Sequence, residues 1–364
     1  MRENPMLKSR HSTPSLPVHM SRDQQLQEWV SQRVAPLHAP HTACEIGIAP
    51  ASADASFRRY FRLTLPDGDT RILMDAPPDK EDSQPFVKVA GLFANAGITA
   101  PRVEMADFDN GFLLLSDLGR TGYLAALQSE PALADRLMRP ALDVLVRWQQ
   151  ASRPDVLPPY DADLLLRELH LFPEWYVGRH LERALTLEQQ RALDKTFRLL
   201  VDSALAQPRV FVHRDFMPRN LMVTECAEKT LTPGVLDFQD AVYGPITYDV
   251  VSLFRDAFIS WEEEQELDWV VRYWEKARAA GLPVHADFGD FWQAYEWMGL
   301  QRHLKVLGIF CRLKYRDGKE NYIVDLPRFV NYARKTAARY NALKPLLVLF
   351  DALENKSAET GLSF

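Results

Sequence analysis

Cysteine is scarce in this 364-residue chain: Cys44, Cys226 and Cys311 are an odd, scattered three with no Cys-x-x-Cys pair. That pattern argues against a disulfide framework or a zinc cluster and for a reducing, cytoplasmic setting. No apolar run reaches the length of a membrane span. Positive charge is not in excess either. The net charge is −6, so the basic face that non-specific nucleic-acid binding requires is missing. Residues 1–20, MRENPMLKSRHSTPSLPVHM, lack the apolar core of a secretory signal and read as a disordered leader. Beyond that leader there are no repeats and no low-complexity segment. What remains is ordinary globular composition, 47% hydrophobic and 25% charged, in a chain with room for two lobes and a full core.

The chain changes character about a third of the way along. Ser21 to Val34 has amphipathic spacing (Leu26, Trp29, Val30, Val34), with Ser21 and Asp23 placed to cap a helix. A loop of small residues, Ala51–Phe57, is expected between two strands, the second spanning Arg58–Leu65. Pro66-Asp67-Gly68-Asp69 then turns the chain into a third strand, Thr70–Asp75. A helix from Gln84 to Ala96 and strands at Val103–Ala106 and Gly111–Leu115 complete this β-rich part. After Leu113–Gly119 the pattern is mainly helical, over 133–150, 163–176, 187–206, 246–257, 262–280, 288–315 and 327–350. The expected fold is α+β and bilobal: a small lobe over 21–117, a larger helical lobe over 118–350 and a tail over 351–364.

Val210–Ala241 interrupts the helical block and carries the chemistry. Two apolar segments, Arg209–Val212 and Leu221–Val223, flank a polar loop as a buried hairpin would, and a third, Val235–Phe238, follows. The loop holds His213-x-Asp215-x-x-x-x-Asn220, and the third segment leads to Asp237. Phosphoryl transfer needs a carboxylate that orients and deprotonates an attacking hydroxyl, and oxygen ligands that hold Mg²⁺ against nucleotide phosphates. Asp215 suits the first role; Asn220 and Asp237 suit the second. Their order is that of a kinase catalytic loop followed by a DFG-like aspartate. Two turns with capping Asp and Asn would explain any one of these residues but not the set.

The motifs HRDFMPRNL, VLDFQDA and, after Gly244-Pro245, Thr247-Tyr248-Asp249 resemble the aminoglycoside phosphotransferase-like superfamily, which includes choline, ethanolamine and homoserine kinases. Protein kinases are less similar: they carry Lys two residues after the base, where Met217 stands here, and an Ala-Pro-Glu segment that this chain lacks. DASFRRYFRL, MDAPPDKED, GFLLLSDLG, LDFQDAVYGPITYD and LKYRDGKENYIVDLPR narrow the resemblance to bacterial anomeric sugar kinases. These act on N-acetylmuramate and N-acetylglucosamine in peptidoglycan recycling, and the match covers about 51–328. The resemblance implies ATP as donor with Mg²⁺, and an amino sugar and a nucleotide as the only partners, with no nucleic acid and no membrane. It also implies that Asp249 braces the catalytic loop, with His213 expected in the same supporting role, and the chain is expected to be a monomer.

One departure is a missing lysine. Kinase strand three supplies a Lys to the α and β phosphates, yet here the strand reads RILMDAPP, with Met74 and Asp75 at that place. Arg58, Arg59 and Arg62 border the small-residue loop, and strand alternation puts Arg58 and Arg62 on one face and Arg59 on the other. The candidate nucleotide contacts are therefore Ser52, Asp54, Ser56 and Arg59 around the loop, with Leu115 and Asp117 on the crossing segment beside the adenine. For the sugar the candidates are Glu168, Trp175 and Asp240, with Arg312, Lys314 and Arg316 as cations for the lactyl carboxylate. Core packing is the competing account of the tryptophans, and solvated surface charge that of the basic run. The alternatives left open are an antibiotic or choline-type phosphotransferase and a nucleotide-binding pseudokinase.

Overall fold

Ser21 starts the first helix with a reciprocal cap: its side chain accepts from the Gln24 amide while the Gln24 side chain accepts from its own. In the computed structural model α1 (Arg22–Trp29) continues through a π turn (Val30–Val34) into α2 (Ala35–His38). Residues 20–38, 46–53, 57–225 and 231–354 are described. The expected leader up to residue 19, the end of the tail, and Asp54 and Ser56 lie outside them. The chain divides into two compact units, Met1–Gly119 and Arg120–Phe364. Among the described residues no helix is long and apolar enough to cross a membrane.

The first unit is built on a five-stranded antiparallel sheet, ordered β1-β2-β3-β5-β4, from β1 (Gly47–Ala53), β2 (Arg59–Thr64), β3 (Thr70–Asp75), β4 (Val103–Asp107) and β5 (Phe112–Ser116). Between β3 and β4 lies α3 (Gln84–Asn95). β1 runs to Ala53, three residues into the stretch expected as loop. Alternation sends Leu63, Leu73, Phe112 and Leu114 to one face, where they pack with Leu26, Trp29, Val30 and Val34. Asp75 stands opposite Arg59 in the register of β2 and β3 and is fully buried. Arg22 donates to one of its oxygens at 2.7 Å and Arg59 to the other at 2.8 Å. The acidic residue at the place of the strand-three Lys is thus a brace between sheet and α1, and two cations offset its burial.

The second unit is mainly helical: α4 (Tyr123–Ser129), α5 (Ala134–Gln150), α6 (Ala162–Leu171), α7 (Leu187–Ala206), α8 (Tyr248–Phe254), α9 (Glu263–Ala279), α10 (Phe288–Tyr315), α11 (Leu326–Arg339) and α12 (Lys344–Leu353). The expected hairpin around the catalytic loop is replaced by two ribbons. β6 (Arg209–Val212) pairs with β9 (Val242–Pro245), and β7 (Leu221–Glu225) with β8 (Leu231–Val235). The loop links one ribbon to the other. β8 stops before Asp237 because that residue takes a left-handed φ of 61°, which a strand cannot hold. The helix expected over 327–350 breaks at Tyr340. Pro345 has no N–H to give Asn341, and its ring would meet that carbonyl, so it serves in the first turn of α12 instead. α10 is buried along most of its length. It crosses the end of α6 so closely that a Cβ on Gly308 would stand 2.3 Å from the Leu171 carbonyl carbon.

Candidate active site

The loop between β6 and Asn220 is fixed by its backbone. Asp249, at the start of α8 and fully buried, accepts the amide of His213 at 2.7 Å and that of Arg214 at 3.0 Å. Burial pushes its carboxyl up to about 7, against the pull of those two amides and of Arg302. His213 is enclosed, and burial pushes it down to about 4, so the ring is neutral. Its Nδ1 accepts the Asp215 amide at 3.2 Å.

Arg214 is the strained residue, with φ of 77°. Its amide, its carbonyl and one terminal nitrogen are all held. Its carbonyl accepts from Arg302 at 3.1 Å and from Ser252 at 3.4 Å, and its guanidinium reaches Glu168 at 2.5 Å. Glu168 also meets Lys305 at 2.9 Å, Gln301 at 3.3 Å and the Tyr160 hydroxyl. Burial alone would raise the Glu168 carboxyl, but the charges of Lys305 and Arg214 outweigh it and bring the group down to about 2.

This scaffold presents Asp215, whose side chain keeps 39% exposure with one carboxylate oxygen 3.9 Å from Arg302. The Asp215 carbonyl accepts the Asn220 side-chain amide at 2.9 Å, and the same nitrogen lies 3.3 Å from Asp237. Gln239 donates to the other Asp237 oxygen at 2.8 Å, and the Asn220 carbonyl accepts the Leu236 amide at 2.9 Å. The nitrogen of Asn220 being used, its side-chain oxygen remains to ligate a cation beside one carboxylate. An oxygen-only pair of this kind suits Mg²⁺, which takes one or two protein oxygens and completes its shell with water and phosphate. Among the described residues no cluster of three His, Cys, Asp or Glu could hold a metal, so a metal here would share its ligands with a phosphate.

The other expected residues are distributed differently. Arg59 lies on the α1 side of the sheet, tied to Asp75 and Asp23. Arg62 is bound through two nitrogens to Asp117, at 2.5 and 3.1 Å, and to the Gly119 carbonyl. Asp117 is therefore engaged with an arginine, its carboxyl held below the usual range by that hydrogen bond although burial opposes it. Arg58 is buried and pairs with Glu81 at 2.9 Å, just ahead of α3. Glu81 also accepts the Phe57 amide at 3.4 Å, so it ties down the end of the small-residue loop. The Leu115 side chain is buried within β5, and Ser52 falls in β1.

Glu168 is the hub of the buried network. Trp175 is half-buried on the π turn after α6 (Phe172–His180), away from that hub's hydrogen bonds, and Asp240 is exposed in the turn before β9. Of the basic run at the end of α10, Arg316 is paired with Asp317. Arg302 and Lys305, central here, escaped the sequence reading. The signal was available: Gln301-Arg302-His303-Leu304-Lys305 places charge inside an otherwise apolar helix, where a solvated face could not accommodate it.

Comparison with known proteins agrees with this geometry. The model of the phosphotransferase enzyme family matches residues 47–288. An N-acetylmuramate/N-acetylglucosamine kinase of Neisseria meningitidis serogroup B is 50% identical over 95% of this chain and its own whole length. One of the same description from Pseudomonas aeruginosa is 50% identical, covering 92% of this chain and 97% of the relative. Among solved structures, an ethanolamine kinase of Plasmodium vivax superposes with a TM-score of 0.56 over 88% of this chain and 96% of its own at 9% identity, a likeness of fold alone. On the span of the family match and the identity to these relatives, the chain belongs to the phosphotransferase enzyme family.

Proposed function

We propose that this protein is an ATP- and Mg²⁺-dependent kinase of N-acetylmuramate and N-acetylglucosamine that acts at the anomeric C1 hydroxyl during peptidoglycan recycling. The carrying observation is a half-exposed Asp215 carboxylate on a fully braced loop, beside an Asn220–Asp237 oxygen pair. The activity of relatives half identical over nearly the whole chain supports the choice of sugar. In this reading Asp215 hydrogen-bonds the C1 hydroxyl and aims its oxygen at the γ-phosphorus. The new O–P bond forms as the bond to the ADP oxygen breaks, and Asp215 receives the proton late. Asn220 and Asp237 would hold the metal, which when bound neutralises charge on the phosphates. Arg302 keeps a fixed positive charge 3.9 Å from one Asp215 carboxylate oxygen.

The missing strand-three Lys is replaced, in this proposal, by Arg58. Of the three arginines it alone lies between the small-residue loop and a carboxylate ahead of α3, repeating the cation–glutamate pairing that positions phosphates in kinases. Arg59 and Arg62 are committed to Asp75 and Asp117.

The position of transfer has a chemical test. With ATP, Mg²⁺ and N-acetylglucosamine, the expected product lacks a reducing end, hydrolyses in mild acid and shows an anomeric phosphate by NMR. A reducing, acid-stable ester would refute C1 transfer and leave a kinase of another hydroxyl. No transfer to either sugar would refute the sugar assignment.

A further inference from the structure

We infer that the acceptor sugar is seated against Asp256 and Arg328, with Asp256 accepting a ring hydroxyl and Arg328 binding the lactyl carboxylate of N-acetylmuramate. The inference rests on the kinase reading above. Asp256, just beyond α8, is fully buried. One carboxylate oxygen accepts the Ala257 amide at 2.5 Å. The other, equally enclosed, has no donor in hydrogen-bonding geometry among the described residues, although the Phe258 amide also pulls on the carboxyl, and such a condition costs free energy unless something fills it. Arg328, on α11, turns one nitrogen toward Asp325 at 3.5 Å, while its second terminal nitrogen is enclosed with no acceptor among the described residues.

The two side chains influence each other electrostatically, yet they form no ion pair. A polar ligand that offers a donor to one and an acceptor to the other would complete both.

Their position relative to the base gives the ligand its identity. Arg302 lies 3.9 Å from Asp215, and its charge also acts on Asp256, so one guanidinium influences both the enclosed carboxylate and the base. On the loop side, Arg219 covers the Phe258 ring at 5.2 Å and reaches the Tyr322 hydroxyl at 3.4 Å. These two half-buried rings provide apolar faces of the kind that sugar C–H surfaces pack on. Acceptor, cation and rings beside a catalytic carboxylate describe a monosaccharide carrying an anionic substituent. Charge-assisted binding of a carboxylate is the usual work of such an arginine.

Steady-state kinetics on both sugars test the assignment. Asp256→Asn should raise KM for both sugars about tenfold or more and leave KM for ATP within about twofold, the loss of one buried hydrogen bond. Arg328→Met should raise KM for N-acetylmuramate about tenfold while changing that for N-acetylglucosamine less than about threefold. Arg328→Lys should recover part of it. Unchanged sugar KM in both Asp256→Asn and Arg328→Met would overturn the proposal. A parallel loss of kcat, both KM values and melting temperature would do the same, since it would assign these residues to bracing around a buried water. A wild-type enzyme that phosphorylates the sugars alongside such variants isolates the failure to this subsite; a wild type inert toward both sugars would sink the sugar assignment and the subsite together.

Discussion

In the proposed reaction Asp215 is the residue on which turnover depends. Asp215→Asn keeps the shape and removes the base, so kcat should fall by roughly 10² to 10⁴ with little change in ATP affinity; isothermal titration beside a coupled assay separates the two. Near-normal turnover would remove Asp215 from the chemistry. The arginines allow a sharper comparison. Arg58→Ala should raise KM for ATP about tenfold, the loss of a charge-assisted contact, whereas Arg59→Ala should leave it unchanged and lower the melting temperature, because Asp75 would lose one of its two cations. A nucleotide KM indifferent to Arg58 would direct the search to Lys80 or Lys88. At this scale the sequence was legible wherever spacing encodes chemistry. Asp215, Asn220 and Asp237 stand together as their order implied. It was illegible where three adjacent arginines differ only in the carboxylate each meets, since those partners come from distant segments.

Elements were readable in proportion to their length. α10 has the bounds its periodicity indicated, because its 28 consecutive residues contain no proline. β9 was missed: four residues including Gly244 and Pro245 carry no strand signal, and only pairing with β6 makes them one. The tie between α6, the loop and α10 was likewise hidden, since Glu168 on a helix reads as a solvated charge. Its consequence is a pH dependence. The folded-state carboxyl is lowered to about 2 from an ordinary 4.5. Its contribution is therefore present above pH 4.5 and is lost as pH falls toward 2, where the folded state finally takes up the proton. Glu168→Gln should cost about 3–5 kcal/mol at neutral pH, leaving Arg214 and Lys305 without their counter-charge. The gap in melting temperature between variant and wild type should narrow as pH drops below 4.5. A gap independent of pH would mean that Glu168 is not held as a carboxylate.

In the molecule as a whole, the proposed metal serves turnover and not stability. The oxygen pair at Asn220 and Asp237 is too small to bind a cation firmly without phosphate, and the fold rests on burial and on cation–carboxylate pairs. Chelation by EDTA should accordingly stop turnover while leaving the melting temperature of the nucleotide-free protein unchanged; a large drop would reveal a structural metal. The distribution of the loop's supports has another consequence. His213 to Asn220 is a nine-letter signature when printed with its neighbour, but its conformation is dictated by Asp249 on α8, Glu168 on α6, and Arg302 and Lys305 on α10. α10 in turn reaches them only because Gly308 lets it lie on the backbone of Leu171. The signature is therefore not portable. Grafted into a scaffold without those three helices it would carry the letters of a kinase and relax out of the left-handed turn at Arg214, so an engineer seeking to transplant this activity must move the helices with the loop.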